Sequence, residues 1–258
     1  MTLGERMKKY EGVTNTYLVD KVPVIIRLDG RAFHTLCRGF TKPFDEDFSN
    51  CMTYTLQRLC EGVGNCVFGY TQSDEITLVL YETKRETEGW FDNRVQKIAS
   101  ISASMATLYF NEMMCRLHEN ALESFYPGTA DKFAFKIFKG VFDARVFNIP
   151  KEEVVNNIIW RQWDATKNSI NAVAQANFSH KELQGKNGSQ LQDMLMSKGI
   201  NWNDTPTRFK RGIACIKVPT KVTTPNGEAM RNKWTLDYEM PILTQSPEYV
   251  TRFLEDLC

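Results

Sequence analysis

The stretch Cys66-Val-Phe-Gly-Tyr-Thr-Gln-Ser-Asp-Glu-Ile-Thr-Leu-Val-Leu-Tyr81 holds two short β-prone runs, Cys66 to Tyr70 and Glu75 to Tyr81, joined by Thr71-Gln-Ser-Asp74. Aromatic and β-branched residues on both sides of a polar turn predict a hairpin. Its second strand opens on two adjacent carboxylates, Asp74 and Glu75, at the mouth of an apolar run. Two readings of that pair are open. Asp is favoured in turns for its own backbone hydrogen bonding, which makes the pair a solvated cap. Alternatively, a second acidic group arrives from elsewhere and the carboxylates share a cation.

The elements around the hairpin supply that second group. Val22-Pro-Val-Ile-Ile-Arg-Leu-Asp29 is nearly continuous in apolar content, as suits a strand covered on both faces, and it ends at Asp29-Gly30. From Asp45, a plausible N-cap, Phe48, Cys51, Met52, Thr55, Leu56 and Leu59 recur at helical spacing, with Gly62 just past the end. After the hairpin, Ile98, Ile101, Met105, Leu108 and Tyr109 mark a second helix. Its small-residue face of Ser100, Ala103, Ser104 and Thr107 would pack closely on a sheet. Gly140-Val-Phe-Asp-Ala-Arg-Val-Phe-Asn-Ile149 then alternates as another strand.

The order strand, helix, strand, strand, helix, strand is the ferredoxin-like, split βαβ arrangement. The predicted fold class is α+β: an antiparallel sheet with two helices on one face, spanning residues 1–150. Residues 151–258 read as an appended region, with a helix from Glu153 to about Asn177 and a shorter one between Gly185 and Gly199. Two strands between Arg208 and Met240 surround the turn Thr224-Pro-Asn-Gly227. In the split βαβ order the first strand lies beside the hairpin, so Asp29 and Asp74 can meet. Oxygen ligands with a backbone carbonyl, such as that of Gly30, suit Mg²⁺. Two such ions about 4 Å apart can activate an attacking oxygen and neutralise a leaving pyrophosphate.

Around Asp29, the groups Arg27, Arg31, His34 and Lys42 form a positive strand-to-helix connection, which reads as a triphosphate cradle or as a basic surface loop. Neither GxxxxGK[ST] nor GxGxxG occurs there. Composition excludes less. Over 258 residues, 32 Lys and Arg balance 31 Asp and Glu, so nucleic-acid binding would need a local basic patch. Seven cysteines without a CxxC pair, and an N-terminus without an apolar signal core, lead us to expect a cytoplasmic protein with reduced thiols. His34, His118 and His180 are too scattered for a zinc cluster by spacing.

Five segments, in order and spacing, resemble the tRNA-His guanylyltransferase family: Arg27-Leu-Asp-Gly-Arg-Ala-Phe-His34, Lys42-Pro-Phe-Asp45, Gly69-Tyr-Thr-Gln-Ser-Asp-Glu75, Phe142-Asp-Ala-Arg145 and Trp160-Arg-Gln-Trp-Asp164. The resemblance implies a polymerase-like palm that extends tRNA at its 5′ end, in the 3′ to 5′ direction. A 5′-monophosphate is first adenylylated with ATP; the 3′-hydroxyl of an incoming GTP then attacks and AMP leaves. It also implies two Mg²⁺ ions held by Asp29, the Gly30 carbonyl and Asp74, with Glu75 assisting. Nucleotide contacts are implied for Arg27, Gly30, Arg31, Ala32, Phe33, His34, Lys42, Asp45, Ser73 and Lys97. RNA contacts are implied for Arg94 and Asn168, and a homotetramer is implied as the assembly.

The branch dedicated to tRNA-His carries His-Ile-Asn-Asn-Leu-Tyr-Asn after the Trp-Arg-Gln segment, where this chain has Thr166-Lys-Asn-Ser-Ile-Asn-Ala172. That departure points to the guanylyltransferase-like branch, which resembles template-dependent repair enzymes of truncated tRNAs. Arg208, Lys210 and Arg211 form a basic cluster that could meet RNA phosphate or face solvent. Trp160, Trp163, Trp202 and Trp234 are expected in the core or at subunit contacts. Two rivals keep the same carboxylates or fold: a palm-fold nucleotidyl cyclase or conventional 3′-end polymerase, and a non-catalytic tRNA-binding protein.

Overall fold

The computed structural model describes residues 1–82, 87–123, 132–224 and 227–255. An amphipathic helix, α1 (Leu3–Gly12), precedes strand β1 (Val24–Gly30), the single-turn helix α2 (Phe33–Leu36) and helix α3 (Glu46–Gly62). The hairpin β2 (Cys66–Gln72) and β3 (Glu75–Leu80) leads to helix α4 (Val95–Glu123) and strand β4 (Phe142–Asn148). Helices α5 (Glu153–Asn177), α6 (His180–Leu183), α7 (Gly188–Ser197) and α8 (Thr207–Arg211) follow, then strands β5 (Ile213–Thr224) and β6 (Gly227–Asp237) and helix α9 (Glu248–Thr251). Pro225 and Asn226 of the expected last turn, and Cys258, lie outside the described residues.

The strands form one antiparallel sheet in the order β4-β1-β3-β2-β5-β6. Its first four members have the split βαβ order expected from the sequence. Residues 151–258 do not stand apart from it: β5 pairs with β2 through Gly69–Cys215, Tyr70–Ala214 and Thr71–Ile213, so the hairpin continues the sheet. Alternation along β1 explains how both faces are covered. Val24, Ile26 and Leu28 join a core with Leu56 and Leu59 of α3 and Ile98, Phe110 and Met114 of α4. Ile25 points the other way, into a core with Val154 and Ile158 of α5 and Val250 of α9.

Three local expectations shift. The hairpin turn is tighter than four residues: Gln72 pairs with Glu75, leaving a two-residue connection in which Ser73 takes φ +49°. Helix α4 is rotated from its expected phase. Ile98, Ser102, Ala106 and Phe110 are its buried stripe, while Ser100 and Ser104 face solvent and hydrogen-bond their own helix. Trp160 and Trp163 stay outside the core, 48% and 62% exposed.

Candidate active site

The C-terminal end of β1 and the turn of the β2–β3 hairpin meet at one edge of the sheet. Gly30 N–H donates to the Asp74 carbonyl at 3.0 Å, tying the two segments where the carboxylates were expected to converge. Gly30 is required sterically there. A Cβ would lie 2.6 Å from the Phe33 ring, which tucks beneath the strand end among Phe48, Phe110 and Phe142. Ala32, between them, takes the left-handed φ +56°, a sparsely populated conformation for a residue with a side chain.

Electrostatics at this edge is unfavourable to the bare acids. Burial raises the Asp29 carboxyl above its ordinary value, and the negative charges of Asp74 and Asp143 raise it further against the pull of Arg161. Asp143 is its direct cross-strand partner on β4. Burial likewise raises Asp74, opposed by its own backbone N–H, by the Ser73 hydroxyl, which donates to Oδ1 at 3.1 Å, and by His34. Carboxyls that repel one another while partly desolvated gain from a shared cation. Among the described residues no group of three or more His, Cys, Asp or Glu side chains has a metal-binding arrangement. A divalent ion here would therefore rest on two carboxylates and a backbone carbonyl, completed by water and phosphate oxygen, which is a donor set that fits Mg²⁺.

Glu75 takes a different place from its neighbour. It is buried, and its Oε2 accepts from Arg161 Nη1 of α5 at 2.7 Å. Burial pushes its carboxyl up to about 7, against the pull of Arg161. Its Oε1 and Arg161 Nε have no hydrogen-bond partner among the described residues. The Arg161 guanidinium also lies 3.5 Å from the Trp160 ring centroid, and Arg27 covers the same ring at 5.5 Å.

A cavity of ≈ 390 Å³ opens beside Asp74. His34, Lys42, Ser73 and Asn168 line it together with Arg208, so the fold collects these expected residues from four separate segments. Asp45 also borders it, but both of its oxygens are engaged: Oδ1 accepts from Phe48 N–H, capping α3, and Oδ2 from Thr41 N–H and Lys132 Nζ, at 2.7 Å from the latter. Burial alone would raise this carboxyl; the hydrogen bonds from Lys132, Phe48 and Thr41 hold it below the usual range. Asp45 thus shapes the loop between Thr41 and Phe48. Phe33 forms part of the wall from within the core, whereas Arg31 and Ala32 are exposed at the rim of the β1 end.

Other expected contacts are not brought here. Phe142, opposite Gly30, donates its N–H to Thr107 Oγ1 of α4, and Lys97 lies ten residues earlier, about 15 Å back along that helix. Arg94 and Lys97 therefore sit towards the Val24 end of β1, against the rings of Tyr17 and Phe91. Of the basic cluster of α8, Arg208 lines the cavity while paired with Glu46, whereas Lys210 is committed to the Asn203 carbonyl and Arg211 to the Met240 carbonyl at 3.3 Å. Sequence reasoning left Arg161, Asp143 and Lys132 unassigned, although the first two fall inside motifs already noted.

The family model described as "Thg1: tRNAHis guanylyltransferase" matches residues 4–150. The chain belongs to the tRNA-His guanylyltransferase family. Its members are nucleotidyltransferases, and so is this protein. A bacterial Thg1-like protein in complex with ATP is 41% identical, with a TM-score of 0.84, over 98% of this chain and 99% of its own. A bacterial Thg1-like protein in complex with GTP is 39% identical, with a TM-score of 0.79, over 98% of each chain. A probable tRNA(His) guanylyltransferase of Dictyostelium discoideum is 26% identical over 90% of this chain and 91% of its own. Among the described residues no helix of this family member is long and apolar enough to cross a membrane.

Proposed function

We propose that the protein extends tRNA at the 5′ end by template-directed 3′ to 5′ addition, with residues 1–150 acting as a palm and residues 151–258 packed on it. The observation that carries the reading is the junction of the β1 end with the hairpin turn, where Gly30 N–H bonds the Asp74 carbonyl and Asp74 borders a cavity lined by His34, Lys42 and Ser73. An oxygen of the RNA 5′-monophosphate attacks the α-phosphorus of ATP and pyrophosphate leaves. The 3′-hydroxyl of an incoming nucleotide such as GTP then attacks the activated RNA phosphate, loses its proton, and AMP departs.

Lys42 supplies positive charge, His34 a ring N–H and Ser73 a hydroxyl to triphosphate oxygens, while the buried aromatic floor under Gly30 keeps the backbone carbonyl fixed. Asp29, Asp74 and the Gly30 carbonyl would hold Mg²⁺, which when bound lowers the pKa of an attacking hydroxyl and screens phosphate charge. The homotetramer is taken from the family resemblance.

A second reading, addition of a single G to tRNA-His, is favoured by the curated relative from Dictyostelium discoideum. The departure at Thr166 to Ala172 favours repair. An addition assay on 5′-truncated, monophosphorylated tRNAs of several identities, with ATP and each nucleoside triphosphate in turn, decides between them. Template-matched addition to several tRNAs supports repair; addition of G to tRNA-His alone supports the second reading. Extension at the 3′ end would overturn both.

A further inference from the structure

The cavity wall contains a feature that phosphate binding does not require. Helix α8 has only five residues, yet it is held at three points. The Thr166 hydroxyl of α5 donates to the Lys210 carbonyl at 3.1 Å, the Tyr70 hydroxyl of β2 donates to the Arg211 carbonyl at 2.7 Å, and Arg208 pairs with Glu46 at the start of α3. Gly212, at φ +81°, closes the helix against Tyr70, where a Cβ would meet the hydroxyl oxygen at 2.5 Å. This anchoring carries Phe209 across the cavity to lie parallel to Phe44, with ring centroids 4.5 Å apart and planes 4° apart.

Both rings line the cavity, and neither belongs to the buried core clusters of the described residues. They are half-buried aromatic surface held rigidly near the triphosphate-binding groups. Ala165 and Ala172 of α5 line the same space with small apolar side chains, leaving room for a flat ring. Aromatic side chains give bases a stacking surface that does not discriminate among them, since every base has a π-face.

We propose that Phe209, paired with Phe44, is the wall against which the base of the bound nucleoside triphosphate stacks; this rests on the reading of the cavity as the nucleotide pocket. The chain's C-terminal half thereby contributes directly to substrate binding, and one wall serves both ATP and GTP. Base identity is not read by this contact, which suits an enzyme that needs one nucleotide for activation and another for addition.

The test compares affinities for ATP, GTP and inorganic tripolyphosphate, a ligand without a base, in the wild type and in Phe209→Ala, Phe209→Tyr and Lys42→Ala. Phe209→Ala is expected to weaken ATP and GTP alike by about tenfold, a stacking loss. Tripolyphosphate binding should be unchanged in that variant, and Phe209→Tyr should restore both nucleotides. Unaltered nucleotide affinity in Phe209→Ala, or an equal loss for tripolyphosphate, would overturn the proposal and leave Phe209 a packing residue. Loss of all three ligands in Lys42→Ala supports the pocket itself. If Lys42→Ala leaves all three unchanged, the pocket assignment falls, and the role of Phe209 falls with it.

Discussion

Glu75 stands directly opposite Asp29 across the β1–β3 pairing, yet its carboxylate is turned to Arg161 of α5 at 2.7 Å. Cross-strand partners leave a sheet on the same face, so the two acids are neighbours with separate tasks. Asp29 sits half-buried at the open edge with Asp74, whereas Glu75 anchors α5 to the sheet. In a nucleotidyltransferase of this design, that anchor also brings Ala165 and Asn168 to the cavity.

The anchor has a defined pH signature. Burial raises the Glu75 carboxyl in the folded state from 4.5 to about 7, so the native state binds its proton more tightly than the unfolded chain does. Its contribution to stability is fully present below the unfolded value and is lost as pH rises through about 7. Denaturant unfolding of the wild type and Glu75→Gln at several pH values should show the variant gaining relative stability across that window. Removing the cation instead, in Arg161→Met, takes away the influence that pulls this carboxyl down, so Glu75 stays protonated through neutral pH and the stability change moves to higher pH. A pH-independent difference between wild type and Glu75→Gln would contradict the assignment.

The strand order was legible in sequence because alternation and turn chemistry are local: β1, the hairpin and β4 declare themselves by period and punctuation. The placement of Asp29 beside the hairpin that carries Asp74 followed from that order alone. Less local facts were hidden. Serines occur on both faces of α4, so small-residue spacing could not fix which of Ser100 and Ser102 turns inward. Charge counts displayed Arg208, Lys210 and Arg211 but not Glu46 and the carbonyls that occupy them. Arg161 lay within a recognised motif, but its partner is 86 residues away and only the packing of α5 on the sheet joins them.

Magnesium binding should depend on pH through the same edge. Burial raises both Asp29 and Asp74, so protons compete with the metal at higher pH than they would at a free aspartate. Calorimetric titration with Mg²⁺ should give binding that weakens as pH falls towards the range of the raised aspartates, with proton release on binding there. Asp29→Asn and Asp74→Asn should each abolish the metal-dependent heat and nucleotide addition while leaving the fold intact. Metal binding that survives in both variants would place the ion elsewhere.

Lys132 is expected to act on the nucleotide through Asp45. It bridges Asp45 at 2.7 Å and Asp47 at 2.8 Å, and lies over the rings of Phe40 and Phe133. Lys132→Met frees the Asp45 oxygen that also accepts from Thr41 N–H, loosening the loop that carries Lys42. KM for ATP should rise several-fold with a smaller change in kcat, as expected when substrate positioning weakens. Asp45→Ala should also lower stability by about 1–3 kcal/mol, since α3 loses its cap and Lys132 keeps only Asp47 of its two carboxylates. Lys132→Arg, which retains the charge, should recover much of the KM; a KM that stays at the wild-type level in Lys132→Met would dissociate the clamp from the site.

Arg94 and Lys97 provide a geometric test, because they lie towards the far end of β1 from Asp29. Their backbone setting is built around the N-terminal segment: Tyr17 bridges to Arg94, and Val95 N–H donates to the Thr16 carbonyl. A triphosphate held beside Asp74 cannot reach them within one chain, whereas a tRNA spans such distances easily. Lys97→Ala and Arg94→Ala should therefore leave ATP affinity unchanged and weaken tRNA binding. Each lost phosphate contact should reduce the slope of log affinity against log salt by about 1. A fall in ATP affinity in Lys97→Ala with an unchanged salt slope would mean that this lysine reaches the nucleotide after all, which a second copy of the chain would have to arrange.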